Sequence, residues 1–235
     1  MPKHAELYAY ATLVFAVVLA FAVHLGLGLC VLGCAILSAL YSHPKTAWKG
    51  HAILGPAANA LGYGILSPLG GWIVADMPPT PRGAATLAVS VCFILAAYLA
   101  AQAFQEDEDR ARGYRTLVAL RGARFTLIVT RVFLVASVIL TLGLAAIGWF
   151  PRTVLLAAPA FVATDLQLAR WTKQPGGGDE SWARAFFLRL TLAGLLCLAA
   201  VSMHYGWQQH QGGPLGGLGT ASGQPAEPAC PDPRS

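Results

Sequence analysis

Residues Gln102 to Gly122 read QAFQEDEDRARGYRTLVALRG. Glu106, Asp107, Glu108 and Asp109 stand side by side, and Arg110, Arg112, Arg115, Arg121 and Arg124 follow at once. The sequence on either side is largely apolar. Four adjacent carboxylates repel one another, and each is costly to move away from water. A divalent cation shared among them would relieve both costs. Mg²⁺ suits the task, because it takes carboxylate oxygens together with substrate phosphates. A solvated polar loop with a basic flank is the plainer alternative.

The surrounding chain places this stretch at a membrane. Of 235 residues, 56% are hydrophobic and 11% are charged, against about a quarter charged in a soluble domain. The net charge of +5 is then carried by loop arginines and is not a nucleic-acid signature. Cys30, Cys34, Cys92 and Cys197 lie inside apolar runs as small hydrophobes, and they suggest no disulfide framework.

Seven apolar segments approach the length that spans the hydrocarbon core, about 30 Å at 1.5 Å per residue. They run over 7–25, 26–41, 53–74, 84–104, 125–150, 153–170 and 183–205. The fold class is therefore all-α and integral to the membrane, with a transmembrane domain over 1–206. A Gly- and Pro-rich tail over 207–235 is expected to be disordered. With the N-terminus inside, Lys3, Lys45, Lys49, the arginines after Asp109, Arg170, Lys173 and Arg184 all fall on the inner side. This bias puts the acidic stretch in the cytoplasm of a multi-pass protein, with a bacterial inner membrane as the expected location.

Two charges lie inside helical segments. Arg131 and Asp165 are each roughly 8–9 Å from the inner end of their segments at helical rise. A lone charge at depth costs about 2.5–3.5 kcal/mol on insertion scales. The two residues are therefore expected to pair as a clamp between the fifth and sixth segments.

The acidic stretch resembles the second aspartate-rich motif of the UbiA-type intramembrane prenyltransferases, approximately D-x-(E/D)-x-D-x-x-x-G-x-(K/R)-T-L. Asp107 and Asp109 match its middle and last acids, Gly113 its glycine, and Arg115-Thr116-Leu117 its tail. Tyr41-Ser42-His43-Pro44 through Lys49-Gly50 resembles the family's Y-S-x-P-P-x-R-x-K-G loop. The order of segments then corresponds to helices three to nine of the nine-helix bundle. The first two helices and the first aspartate-rich motif have no counterpart here. Gln105 stands at the first Asp of the second motif, Lys45 at the second Pro of the loop, and Ala47 at its Arg.

The resemblance implies transfer of an isoprenoid chain from a prenyl diphosphate to a lipophilic, often aromatic, acceptor, with Mg²⁺ on the diphosphate. It implies Asp107 and Asp109 as catalytic metal ligands. Lys49, Lys45, Arg115 and Arg110 are implied as contacts to the diphosphate. With one motif of two, the 235-residue chain alone is expected to be impaired, or to need a partner chain or a second copy. Two alternatives stand beside this reading. One is a non-catalytic prenyl-lipid-binding protein or partner-completed half-site, and the other is an unrelated seven-helix transporter. The acceptor and the prenyl chain length are not encoded in any motif.

Overall fold

The architecture is taken from a computed structural model, which describes residues 3–210. The elements among these residues are helical, joined at one point by an isolated parallel bridge between His51 and Arg115. α1 covers Lys3–Val23 and α2 Leu25–Ser42, and the two pack as a hairpin. His24 makes the turn: its extended backbone breaks the helix, and its Nδ1 accepts the Gly26 N–H at 3.0 Å to cap α2. α3 (Leu54–Asn59), a π-helical stretch over Ala60–Leu66 and α4 (Ser67–Val74) follow. α5 (Pro81–Phe104), a short α6 (Glu106–Ala111), α7 (Leu117–Ala146), α8 (Ala158–Trp171) and α9 (Glu180–His210) complete the described chain. Residues 211–235, most of the expected tail, lie outside it.

All seven apolar segments are helical, but not all are single spans. Among the described residues, four helices are long and apolar enough to cross a membrane: α2, α5, α7 and Glu180–Trp207 of α9. The third and sixth segments are broken, and proline explains both breaks. Pro68 has no N–H for the Gly64 carbonyl, and its ring crowds that carbonyl. The turn before it opens into the wider π form, with Ser67 N–H reaching Gly62 O. In the sixth segment Arg152–Ala157 winds as a 3₁₀ turn before Pro159 opens α8. α7, at 30 residues, bends at Gly122, whose φ of 80° is left-handed and costs a glycine little.

The core is built on α5 and α7. Ala96, Ala100 and Ala103 form a small-residue stripe on α5, and Leu127 and Leu134 of α7 pack against it. Small residues let helices approach closely where lipid offers no hydrophobic drive for association. Trp171 ends α8 within this core. It is fully buried, it packs against Phe186 at 5.8 Å, and its indole N–H donates to Gly177 O.

Candidate active site

Two loops meet at one end of the bundle. After α2, Pro44 stops the helix, and Thr46 Oγ1 donates to Leu40 O at 2.7 Å to fold the chain back. Ala47 takes a left-handed conformation, φ 41°, and leads into the 3₁₀ turn Trp48–Gly50 that carries Lys49. Arg115 N–H donates to Gly50 O at 2.8 Å and so ties this turn to the segment after α6. Gly50 makes the approach possible. A Cβ there would lie 2.7 Å from the Tyr114 ring, and Lys49 Nζ sits 5.9 Å from the centroid of the same ring, within cation–π range.

The acidic run is a helix, not an open loop, and two of its four carboxylates pair with arginines one turn on. Glu106 pairs with Arg110 at 2.6 Å and Glu108 with Arg112 at 2.5 Å, both four residues apart. Glu106 Oε2 also accepts the Ala123 N–H at 2.8 Å, just beyond the bend in α7. The carboxylates thus do not need a shared cation to coexist.

Asp109 differs from its neighbours. It is 6% exposed and accepts a hydrogen bond from Thr116 Oγ1 at 2.7 Å. Thr116 is also the N-cap of α7, so one hydroxyl starts that helix and fixes the carboxylate. Asp109 lines a cavity of about 230 Å³ together with Tyr41, Lys49, Tyr98, Gln102, Gln105, Arg112 and Tyr114. Lys49 and Asp109, from the two sequence motifs, therefore border one cavity.

The other expected site residues lie elsewhere. Asp107 lines a second polar cavity, about 440 Å³, with Glu106, Arg110, Gly176 and Gly178. Two residues along a helix is about 200° of rotation, so Asp107 and Asp109 diverge. Arg110 belongs to that second cavity. Lys45 and Arg115 are exposed and line neither cavity. Arg112, Gln102 and Gln105 line the Lys49 cavity unpredicted. Their signal was in the sequence: 102, 105, 109 and 112 follow the three–four–three spacing of one helical face.

Mg²⁺ is implied by the family resemblance, and the cavity offers it a limited donor set. Among the described residues no group of three or more His, Cys, Asp or Glu is placed to hold a metal. The Lys49 cavity supplies one carboxylate, Asp109, and the Gln102 amide oxygen, a buried acceptor without a hydrogen-bond partner. Mg²⁺ commonly uses one or two carboxylates and completes its shell with substrate phosphates and water. The residues fit as one face of such a shell, with Asp109 and Gln102 as its protein oxygens.

Elsewhere, Arg131 and Asp165 form a two-pronged ion pair at 2.7 and 2.8 Å between α7 and α8. A larger, mainly apolar cavity of about 530 Å³ lies among α1, α2 and the π-helical stretch, and Tyr41 lines both it and the Lys49 cavity. Beyond α8, Ser181 donates to Asp179 through its hydroxyl and, at 3.0 Å, through its N–H. The hydroxyl bond is the chief reason that the Asp179 carboxyl is held below its usual range.

Comparison with known proteins bears on the family and the fold. The model of the UbiA prenyltransferase family matches residues 1–192. Among solved structures, a UbiA homologue from Archaeoglobus fulgidus bound to DMAPP and Mg²⁺ superposes with a TM-score of 0.62 at 18% identity, covering 85% of this chain and 69% of that one. No curated protein matches the chain.

Proposed function

Because the chain belongs to the UbiA prenyltransferase family, we propose that it binds a prenyl diphosphate at the Lys49 cavity and transfers the prenyl group to a lipophilic acceptor. The observation that carries this reading is the meeting of Lys49 and Asp109 on one cavity. The diphosphate head group lies against Lys49 and Arg112, where a compact ammonium and a planar guanidinium suit phosphate oxygens. The isoprenoid tail extends past Tyr41 into the neighbouring apolar cavity. Both loops face the cytoplasm, where the soluble ends of the substrate are supplied.

The chemistry is ionisation and capture. The allylic C–O bond breaks, diphosphate leaves with the electron pair, and the acceptor's nucleophile bonds to the cationic carbon and loses a proton. Lys49 and Arg112 stabilise the charge that grows on the leaving group. When bound, Mg²⁺ would supply further charge neutralisation at the same oxygens. Tyr41 and Tyr98 border the region where water must be excluded from the cation. With one carboxylate in the cavity, transfer by residues 1–235 is expected to be slow, and this favours a second reading in which the chain binds the donor without efficient transfer.

The test uses the full chain in lipid nanodiscs, with dimethylallyl and farnesyl diphosphate titrated calorimetrically in the presence of Mg²⁺ and diphosphate release followed separately. Binding that Lys49→Gln weakens at least about tenfold, as the loss of one charge-assisted contact predicts, supports the site. Release of diphosphate separates transfer from binding alone. Absence of binding, or binding indifferent to Lys49, would sink the proposal.

A further inference from the structure

The groove between α7 and α8 ends in a group of cations that the proposed transfer does not use. Two contacts fix how these helices lie. Arg131 of α7 is bonded to Asp165 of α8. A Cβ on Gly177, in the turn after α8, would lie 2.6 Å from Ala123 Cβ of α7. Later residues of the α8 side thus meet earlier residues of α7, and the two helices run antiparallel. The Ala123 end is also the end that carries the Lys49 cavity, since Glu106 of α6 accepts the Ala123 N–H.

Helical register then gathers three cations at that end. Arg124 precedes Arg131 by seven residues, about 20° short of two full turns, so it stands on the same face of α7, about 10 Å nearer the Ala123 end. Arg170 lies in the last turn of α8, past Asp165, and Lys173 follows just beyond the helix. All three are exposed, and none enters an ion pair among the described residues. The acids of this end are engaged elsewhere. Asp165 holds Arg131, Glu180 holds Arg184, Asp179 accepts from Ser181, and Asp107 borders the second polar cavity with Arg110. Like charges gathered without counter-ions repel one another, and an anion between them removes that cost.

Beyond the cations the groove is apolar. Ile128 and Val132 of α7 are exposed on the side of Arg131, and Val162 and Leu166 of α8 are exposed on the side of Asp165; each lies within about 100° of its reference residue at helical rotation. A soluble anion would use the cations alone. A phospholipid with a net negative headgroup uses both parts: its phosphate meets the two guanidinium groups and the ammonium, and an acyl chain follows the apolar stripe. Basic clefts between membrane helices hold anionic headgroups in this way.

We propose that this end of the α7–α8 groove is a binding site for an anionic phospholipid, held by Arg124, Arg170 and Lys173. The site is separate from the diphosphate cavity, which none of the three lines. The headgroup bridges α7 to the end of α8, beside the turn that packs on Ala123.

The test is displacement of a fluorescent phosphatidylglycerol from the full chain in neutral detergent micelles, read by anisotropy. Unlabelled dioleoyl phosphatidylglycerol is expected to compete about 100-fold better than dioleoyl phosphatidylcholine, from three basic residues at about fivefold each. Arg124→Gln with Lys173→Gln should lower that preference to about fivefold. Arg124→Lys should keep it, and so should Arg152→Gln at the opposite end of α8. Equal competition by the two lipids with the wild-type protein overturns the proposal without recourse to any variant. A double variant that keeps the full preference overturns it as well. Displacement by millimolar inorganic phosphate as effective as that by phosphatidylglycerol would make the cluster a site for soluble anions and overturn the lipid assignment.

Discussion

Asp107 and Asp109 sit two residues apart on one six-residue helix, yet their surroundings differ in kind. Around Asp109 are Lys49, Arg112 and the uncharged polar side chains of Tyr98 and Gln102 of α5, and a threonine hydroxyl fixes the carboxylate. Around Asp107 are an ion pair already closed, Glu106 with Arg110, and two glycines of the turn before α9. In the first cavity Arg112 is likewise paired, with Glu108, while Lys49 and Asp109 enter no ion pair among the described residues. In the second, Glu106 also holds the Ala123 amide at the bend of α7, so the group acts as a joint between helices. Charge density along the sequence does not distinguish the two, whereas the side of the helix does.

The sharpest way to break this contrast is a pair of neutral replacements. Asp109→Asn should reduce Mg²⁺-dependent binding of prenyl diphosphate about 100-fold, in the range of losing one preorganised electrostatic contact. Asp107→Asn should change it less than about threefold, as expected for a solvated charge outside the cavity. Equal losses in the two titrations would mean that both carboxylates serve one site. Next in size is Thr116→Val, which leaves Asp109 in place but removes its 2.7 Å hydrogen bond. Binding should fall about tenfold, since hydrogen bonds to charged groups are worth about 1.5–3 kcal/mol.

Two further changes should register in stability and spare binding. We propose the Arg131–Asp165 pair as a clamp between α7 and α8. Arg131→Leu alone should cost about 2–3 kcal/mol by leaving Asp165 uncompensated within the bilayer, and the double Leu variant should recover most of it. Reversible unfolding in bicelles measures both. Glu106→Ala should cost about 1–2 kcal/mol by leaving the Ala123 N–H without its acceptor, with diphosphate titration unchanged within twofold.

The smallest effect concerns Asp179, near the second cavity. Its hydrogen bonds from Ser181 depress the folded-state value, so the folded protein binds its proton less readily than the unfolded chain does. The stabilisation is present above the unfolded value, about pH 3.9, and is lost as pH falls through the folded one. Ser181→Ala should flatten that loss in a series of thermal midpoints taken from pH 6 to pH 3.

The bundle was largely legible in the sequence because apolar runs of membrane length admit few other readings. The π-helical stretch was not, since Pro68 signals a disturbance without saying which backbone form absorbs it. In the candidate site, Lys49 and Asp109 were legible through the motifs that they close. Asp107 and Arg110 border a different cavity from Lys49, because the acidic run is helical and neighbours along a helix do not share a side. As a helix with arginines four residues on, it pairs its own charges and turns successive acids to different sides. Arg112 and Gln102 needed only the same helical spacing, extended from Asp109 in both directions.

The hydrogen bond from Arg115 N–H to Gly50 O has a consequence for biosynthesis. The Lys49 turn is made early, and the residue that anchors it is made only after the third and fourth segments have followed. At about 5–20 residues per second the ribosome needs several seconds to cover that interval. Through that time a nascent chain carries the lysine without the bond or the carboxylate. The cavity is thus incomplete until α6 and the residues that follow it emerge.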